Sequence, residues 1–218
     1  MRSYLQLLCV ILFTLSSFTL TAQSIKTIKV ISTEWCVDNL KITKFNNGDN
    51  IPLAKDTSDW TKAALEKKPL YGFIIKNGRQ EYVYNFYVLI DDRGILPKGY
   101  AYPEDADFMQ LENALKADAS LVDRLNFYST GVNSIDRYYK RFSYDRSCTA
   151  FWFKDNTWQD WVKDNMGTSY GLCEYPNCPS MFPKSCEGVF NRFETFYESG
   201  GSDAGNGMCI RLVKKIND

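Results

Sequence analysis

An apolar segment at the start of the chain decides which residues have to fold and in which compartment. Met1-Arg2 is followed by a mostly apolar run from Leu5 to Leu20, and Ala22 offers a small residue just beyond it. A basic start, a short apolar run and a small exit residue are typical of a secretory signal peptide. We therefore expect residues 1–22 to be a signal peptide and residues 23–218 to form one exported domain. Its location would be the periplasm, the outer-membrane surface or the extracellular space.

Composition excludes several classes of function. The 218 residues include 26 basic and 26 acidic side chains and no histidine. A neutral chain creates no field that would gather nucleic acid, and a chain without histidine has no histidine triad or histidine-based metal site. No serine lies in a Gly-x-Ser-x-Gly elbow, and no later run reaches the roughly 18 apolar residues that a membrane span needs. We therefore predict no catalysis, cofactor, bound metal, nucleic-acid partner or transmembrane segment in the mature chain.

Six cysteines remain after the leader, and an even number of cysteines in an exported chain predicts disulfides. The sequence does not choose among the pairings. A thiolate metal site is the alternative, but the paired Cys-x-x-Cys spacing of zinc ribbons is missing. The disulfide candidates are Cys36, Cys148, Cys173, Cys178, Cys186 and Cys209.

Strand patterns occur near both ends of the mature chain. Residues 25–31 alternate polar and β-branched side chains, and residues 71–75 and 81–90 read as two strands joined by a turn that contains Asn77-Gly78. Residues 208–213 predict a closing strand.

Helical patterns lie between these strands. The sequence predicts a helix capped by Thr57-Ser58-Asp59, a helix that follows Pro103, and a helix over residues 156–166. Leu121, Val122 and Leu125 would lie on one face of a further helical segment. Residues 170–207 combine cysteines with prolines and glycines and show little periodicity, which predicts a long disulfide-pinned loop region with short strands. The expected class is α+β with a mostly antiparallel sheet.

Several motifs, in this order, resemble a known exported bacterial family. They are Trp35-Cys36-Val37-Asp38-Asn39-Leu40, Phe45-Asn46-Asn47-Gly48, Tyr84-Asn85-Phe86-Tyr87-Val88, Asp92-Arg93-Gly94-Ile95-Leu96-Pro97-Lys98-Gly99-Tyr100 and the closing Ile210-Arg211-Leu212-Val213-Lys214. The chain is similar to the Fibrobacter succinogenes major paralogous domain, which is common in the Bacteroidetes. The resemblance implies a C-type-lectin-like fold, with two helices flanking small antiparallel sheets and a long irregular region that carries specificity.

The late aromatic residues are the candidate binding groups. Exposed rings beside amides suit a sugar or a protein partner, since aromatic side chains offer a large contact area with a polar tip. The alternative is that the tryptophans belong to the core. The candidates are Trp152, Trp158, Trp161, Tyr170, Tyr175 and Asn177. The acidic groups Asp91-Asp92 and Glu104-Asp105 with Asp107 are interpreted as a turn and a helix start rather than as a calcium site.

The leading hypothesis is an exported, non-catalytic binding module that recognises a glycan or an envelope protein at the bacterial cell surface. The alternative is a structural or assembly subunit of a cell-envelope protein complex. A third possibility comes from the resemblance, because the same scaffold is similar to that of formylglycine-generating enzymes. The copper-binding cysteine pair of those enzymes has no recognisable signature in this sequence.

Overall fold

The computed structural model describes residues 25–76, 78–127, 132–136, 141–145, 148–154, 158–174 and 193–214. The helices in this part of the chain are α1 (Thr57–Glu66), α2 (Phe86–Leu89), α3 (Asp105–Ala117), α4 (Leu121–Arg124) and α5 (Trp158–Lys163). The strands are β1 (Thr27–Val30), β2 (Thr33–Cys36), β3 (Tyr71–Lys76), β4 (Arg79–Tyr84), β5 (Tyr100–Ala101), β6 (Val132–Asp136), β7 (Arg141–Asp145), β8 (Cys148–Trp152), β9 (Met166–Glu174), β10 (Phe193–Asp203), β11 (Cys209–Ile210) and β12 (Val213–Lys214).

The strands form small, mostly antiparallel sheets, so the predicted α+β class is confirmed. One sheet has the order β1-β2-β12-β5, and a second has the order β10-β9-β8-β11 with β11 parallel to β8. The strands β3 and β4 form a hairpin, and so do β6 and β7. None of the helices in the described ranges has the length and apolar character to cross a membrane.

The chain is tied together between residues near its two ends. Strand β12 lies between β2 and β5, with Val213 opposite Trp35 on one side and opposite Ala101 on the other. Arg211, two residues before this strand, is buried and donates from Nη1 to the carbonyl oxygens of Cys36 and Leu125, each at 2.8 Å. Late residues therefore complete the sheet that early residues begin.

Aromatic rings fill the core. Phe108 of α3 lies edge-on to Trp35 with ring centroids 5.4 Å apart, and its other contacts include Tyr170, stacked at 4.3 Å. On β8, Phe151 faces Phe127, and Trp152 faces Phe86. Because β8 is buried on both of its faces, it joins the two hydrophobic clusters of the core.

The helical periodicities predicted for α3 and α4 are confirmed. Phe108, Leu111 and Leu115 are buried along one face of α3, and Leu121 and Val122 are buried on α4. Asp107 caps α3 by accepting a hydrogen bond from the backbone N–H of Glu104 at 2.9 Å, which confirms the interpretation of this acidic group as a helix start. The cap of α1 is Asp56, which accepts from the backbone N–H of Ser58 and Asp59 and lies one residue before the predicted capping segment Thr57-Ser58-Asp59.

The strand predicted over residues 81–90 is only half correct. Strand β4 ends at Tyr84, and the chain then turns into the short helix α2. The strand ends before Asn85, whose side chain is fully buried and forms hydrogen bonds to the backbone that precedes β3. Its Oδ1 accepts from the N–H of Leu70 at 3.1 Å, and its Nδ2 donates to the carbonyl oxygen of Lys68 at 2.8 Å.

The late part of the chain is more regular than predicted. Strands β9 and β10, of 9 and 11 residues, form a longer antiparallel ribbon than the short strands expected in this region, with a register shift between Glu198 and Ser202. Helix α5 ends at Lys163, short of the predicted end at residue 166, because Asn165 adopts the left-handed conformation with φ of 61°. The predicted closing strand is divided into β11 and β12, since Arg211 turns inward between them.

Candidate functional site

A groove of about 390 Å³ lies where the loop after α2 meets the start of α5. It is lined by residues 89–92 and 94–96, by Asn46 and Tyr102, and by Lys154 and Trp158 from later in the chain. A concave surface that combines apolar side chains with a few polar groups is typical of a small-molecule binding site.

Arg93 holds the loop in shape. Its guanidinium donates to the carboxylate of Asp91 from Nε at 2.8 Å and from Nη2 at 2.9 Å, and its Nη1 donates to Asp49 at 3.2 Å. The guanidinium also lies over the ring of Phe45, 3.8 Å from its centroid. The side-chain hydrogen bond from Arg93 lowers the pKa of Asp91. Asp91 is therefore an ionised, already occupied carboxylate at neutral pH.

A tight turn places the loop against Asn46. The N–H of Gly94 donates to the carbonyl oxygen of Asp91 at 2.9 Å, which confirms the predicted turn, and Gly94 has a φ of +67°. Asn46 donates from its backbone N–H to the carbonyl oxygen of Gly94 and from Nδ2 to that of Leu96, at 2.9 and 3.2 Å. A Cβ atom at position 94 would lie 3.1 Å from Nδ2 of Asn46. The turn therefore needs glycine, and it fixes the amide at the rim of the groove.

An aromatic ring and a phenol complete the groove. Trp158 is half-buried, and Nζ of Lys154 lies 4.3 Å from the centroid of its ring, a cation–π contact. Tyr102 donates its hydroxyl hydrogen to the carbonyl oxygen of Leu89 at 3.4 Å. Desolvation raises the pKa of Tyr102, so this phenol stays neutral and keeps its hydroxyl hydrogen.

A comparison with known protein families matches the part of the chain that supplies most of the groove residues. Residues 28–134 match the model of the Fibrobacter succinogenes major domain. The chain carries a Fibrobacter succinogenes major domain. This confirms the family that the sequence motifs resemble. No curated protein and no solved structure matched the chain in the same comparisons.

Two parts of the chain contribute residues to the groove. The Fibrobacter succinogenes major domain supplies Asn46, the loop that Arg93 holds and Tyr102, whereas Lys154 and Trp158 lie beyond the matched residues. The later segment contacts the matched residues through strand pairing, since Met208 bridges to Tyr84 and β12 pairs with β2. Part of the groove lining thus comes from residues that the family model does not cover.

The predicted binding residues fall into three groups. Trp158 lines the groove. Trp152 and Tyr170 are core residues, so the prediction of a surface binding role is wrong for both: Nε1 of Trp152 donates to the carbonyl oxygen of Tyr84 at 2.7 Å, and Tyr170 stacks on Phe108. The side chain of Trp161 and the whole of Tyr175 and Asn177 lie outside the described residues.

The predicted disulfides are not found at the two cysteines whose side chains are described. Cys36 and Cys209 are buried thiols, at 2% and 0% exposure, which departs from the predicted half-cystines. They belong to different hydrophobic clusters, where each thiol packs as a small apolar group. Desolvation raises the pKa of Cys36 to about 11, so this thiol is protonated at neutral pH. The side chains of Cys148, Cys173, Cys178 and Cys186 lie outside the described part.

The acidic groups do not converge on a common point. Among the described residues, no set of three or more cysteine, aspartate or glutamate side chains is arranged to hold a metal ion. Asp91 is bound to Arg93, and Asp107 accepts from the hydroxyl of Thr33 at 2.7 Å. Asp91 and Asp107 thus each have a structural partner.

Trp158 is the groove residue that was predicted as a binding residue from the sequence; the residues that were not predicted include Asn46, Asp92, Tyr102 and Lys154. The positions of Asn46 and Asp92 within the family motifs were the one available signal. Lys154 and Tyr102 carry no local signal, since they reach the groove through contacts between residues about fifty positions apart in the chain.

Proposed function

We propose that this protein is an exported, non-catalytic binding module with a C-type-lectin-like scaffold, and that its groove binds a glycan at the bacterial cell surface. The observation that carries the proposal is that the half-buried Trp158 lines the same groove as a loop of fixed polar groups. Export rests on the leader predicted over residues 1–22 and on the cysteine content.

Trp158 supplies the apolar contact. An indole ring buries a large, rigid area at a small entropic cost, and the C–H faces of a sugar ring match it in size. Lys154 covers one face of this ring at 4.3 Å, so a sugar would take the remaining contact surface or displace the ammonium. A cation–π contact is weak at a partly exposed site, so replacing the ammonium with the C–H face of a sugar costs little free energy. The ring is therefore suited to reversible binding.

The rim supplies polar contacts of both kinds. The carboxylate of Asp92 is exposed and can accept hydrogen bonds from sugar hydroxyls, and Lys154 can donate. Asn46 is held with Nδ2 on the carbonyl oxygen of Leu96 and so presents a fixed amide oxygen. Acidic and basic groups lie side by side, which favours a neutral, hydroxyl-rich glycan over a strongly charged one.

The same geometry argues against glycoside hydrolysis. Hydrolysis needs one carboxylic acid that is protonated near neutral pH and a second carboxylate across the sugar. Arg93 lowers the pKa of Asp91, which is the opposite of what a general acid requires. The chain also has no histidine to take that role.

A glycan array with the purified exported protein tests the proposal, followed by calorimetry on any glycan that binds. We expect Trp158→Ala to weaken binding at least tenfold. Phe73→Ala is the matched control, because Phe73 is also a partly exposed aromatic residue, at 48%, but lies on the β3–β4 hairpin outside the groove. Full binding by Trp158→Ala, or a folded wild-type protein that binds nothing on the array, would contradict the proposal.

A second candidate function, an assembly subunit of an envelope complex, is favoured by a different surface. Phe73 and Ile75 alternate on β3 and therefore share one face of the hairpin, where they are 48% and 70% exposed. Exposed apolar side chains on one strand face are typical of a protein contact. A stoichiometric partner that is lost with Phe73→Ser and Ile75→Ser, but retained with Trp158→Ala, would favour this function over glycan binding.

A further inference from the structure

The strand register brings two of the six mature cysteines together. In the antiparallel pair of β8 and β9, Cys148 lies directly opposite Cys173. The register runs without interruption from this pair to Trp152 and Ser169 at the other end of β8. Since directly opposed residues of an antiparallel pair share one face of the sheet, both cysteines occupy the face that carries Trp152.

The hydrogen-bond pattern identifies which kind of pair the cysteines form. The N–H of Phe153 donates to the carbonyl oxygen of Thr168 at 3.2 Å, and these two residues continue the same register one step beyond Trp152. Phe153 and Thr168 are thus a hydrogen-bonded pair. Hydrogen-bonded and non-hydrogen-bonded pairs alternate along an antiparallel ladder, so counting back from Phe153 makes Cys148 and Cys173 a non-hydrogen-bonded pair.

A non-hydrogen-bonded pair has the spacing that a disulfide needs. Its Cα atoms are about 4.5 Å apart, closer than in the alternate pairs, and disulfides join Cα atoms separated by roughly 4.4 to 6.8 Å. The backbone placement therefore satisfies the distance and the common face without any rearrangement of the strands.

We propose that Cys148 and Cys173 form a cross-strand disulfide in the exported protein. Each thiol gives up one proton and one electron as the S–S bond forms, and the two electrons reduce the disulfide of a thiol–disulfide oxidoreductase, or glutathione disulfide, to two thiols. The proposal shares the export step with the proposed function but does not depend on a glycan ligand.

The disulfide would constrain the segment that supplies part of the groove. The segment between Cys148 and Cys173 contains Lys154 and Trp158, the two groove residues that the family model does not cover. Closing this segment into a loop restricts it in the unfolded chain and ties both of its ends to one point of the sheet. The side of the groove contributed by the later chain would thereby be attached covalently to the end of β8.

Peptide mapping tests the pairing. The full chain is produced with its leader in a bacterial host that exports it, quenched in acid, alkylated after unfolding and digested without reductant. We expect a linked Cys148–Cys173 peptide that separates on reduction with a gain of two hydrogen masses, and alkylated Cys36 and Cys209. Alkylated Cys148, or Cys148 linked to Cys178 or Cys186, would overturn the proposal.

A one-residue shift provides the matched control. The double substitution Cys148→Thr and Thr149→Cys keeps the composition but moves the thiol to the other face of β8. We expect the linked peptide to disappear while Cys173 becomes fully alkylated. A peptide that still links position 149 to Cys173 would show that the register does not determine the bond. Glycan binding is not measured in either experiment, so a failed mapping and a failed glycan array are separate results.

Discussion

The guanidinium of Arg211 lies on the carbonyl oxygen of Cys36, with an Nη1–O distance of 2.8 Å, although the two residues are 175 positions apart. The same Nη1 donates to Val37 and Leu125, and Nε donates to Oδ1 of Asn39 at 2.9 Å. Asn39 in turn donates to Glu81 at 3.2 Å. One buried cation thus organises several backbone carbonyls, and burial lowers its pKa to about 10.

Replacing Arg211 with methionine is expected to destabilise the protein by at least about 3 kcal/mol, because several buried carbonyl groups would lose their donor. Urea unfolding measures the change in free energy. Lys214→Ala is the control, since Lys214 is exposed and its contact with Glu34 spans 3.7 Å; we expect that control to stay within about 0.5 kcal/mol of wild type. Equal stability of Arg211→Met and wild type would mean that desolvation of the guanidinium cancels its hydrogen bonds.

Cys36 is expected to make the folded protein less stable at alkaline pH. Desolvation raises the pKa of its thiol from 9.0 to about 11, so between these values the folded state binds more protons than the unfolded state. Stability is therefore expected to fall as pH rises through this window, by up to roughly 2.7 kcal/mol from this group. Chemical unfolding of wild type and Cys36→Ala at pH 8, 9, 10 and 11 isolates the effect as a difference. A wild-type curve parallel to that of the variant would contradict it.

Gly94→Ala is expected to cost more than Gly99→Ala. Both glycines have positive φ, +67° and +85°, so each substitution carries a backbone cost of roughly 1–2 kcal/mol. A Cβ at position 94 would also lie 3.1 Å from Nδ2 of Asn46, whereas nothing lies within 4 Å of a Cβ at position 99. Thermal unfolding should give the lower midpoint for Gly94→Ala, and glycan affinity should fall for that variant alone. Equal melting temperatures would show that Asn46 moves aside freely.

Asn85→Val tests the contact that ends β4. The valine would leave the N–H of Leu70 and the carbonyl oxygen of Lys68 without the partner that Asn85 supplies, and we expect a loss of about 2–4 kcal/mol. Denaturant unfolding gives the value. Asn47→Val is the control, because Asn47 is exposed and its side chain bonds only to nearby Asp49. A loss no larger than that of the control would indicate that water replaces the amide.

Asn85 also explains which part of the fold the sequence could predict. Helix α3 was predictable because a helix with one buried face repeats its apolar residues every three or four positions. Residues 86–89 are buried on all sides and therefore carry no period that separates a strand from a helix. Their conformation follows from two hydrogen bonds between Asn85 and residues some fifteen positions earlier, which no local pattern records.

The groove was partly predictable for a similar reason. Trp158 was among the predicted binding residues, but so was Trp152, and the two tryptophans are alike in sequence terms. What separates them is β8, which is enclosed by clusters on both faces and leaves Trp152 no exposure. The partners of Trp158 in the groove come from a loop that precedes it by more than sixty residues, so only the folded chain shows them together.

The interior position of β12 has a consequence for synthesis. The first sheet lacks β12, the inner strand that joins β2 to β5, until residues 213 and 214 have been added to the growing chain. Contacts of such long sequence separation form late and slowly. The export proposed above requires an unfolded chain, and late completion of this sheet delays folding until the last strand has been made.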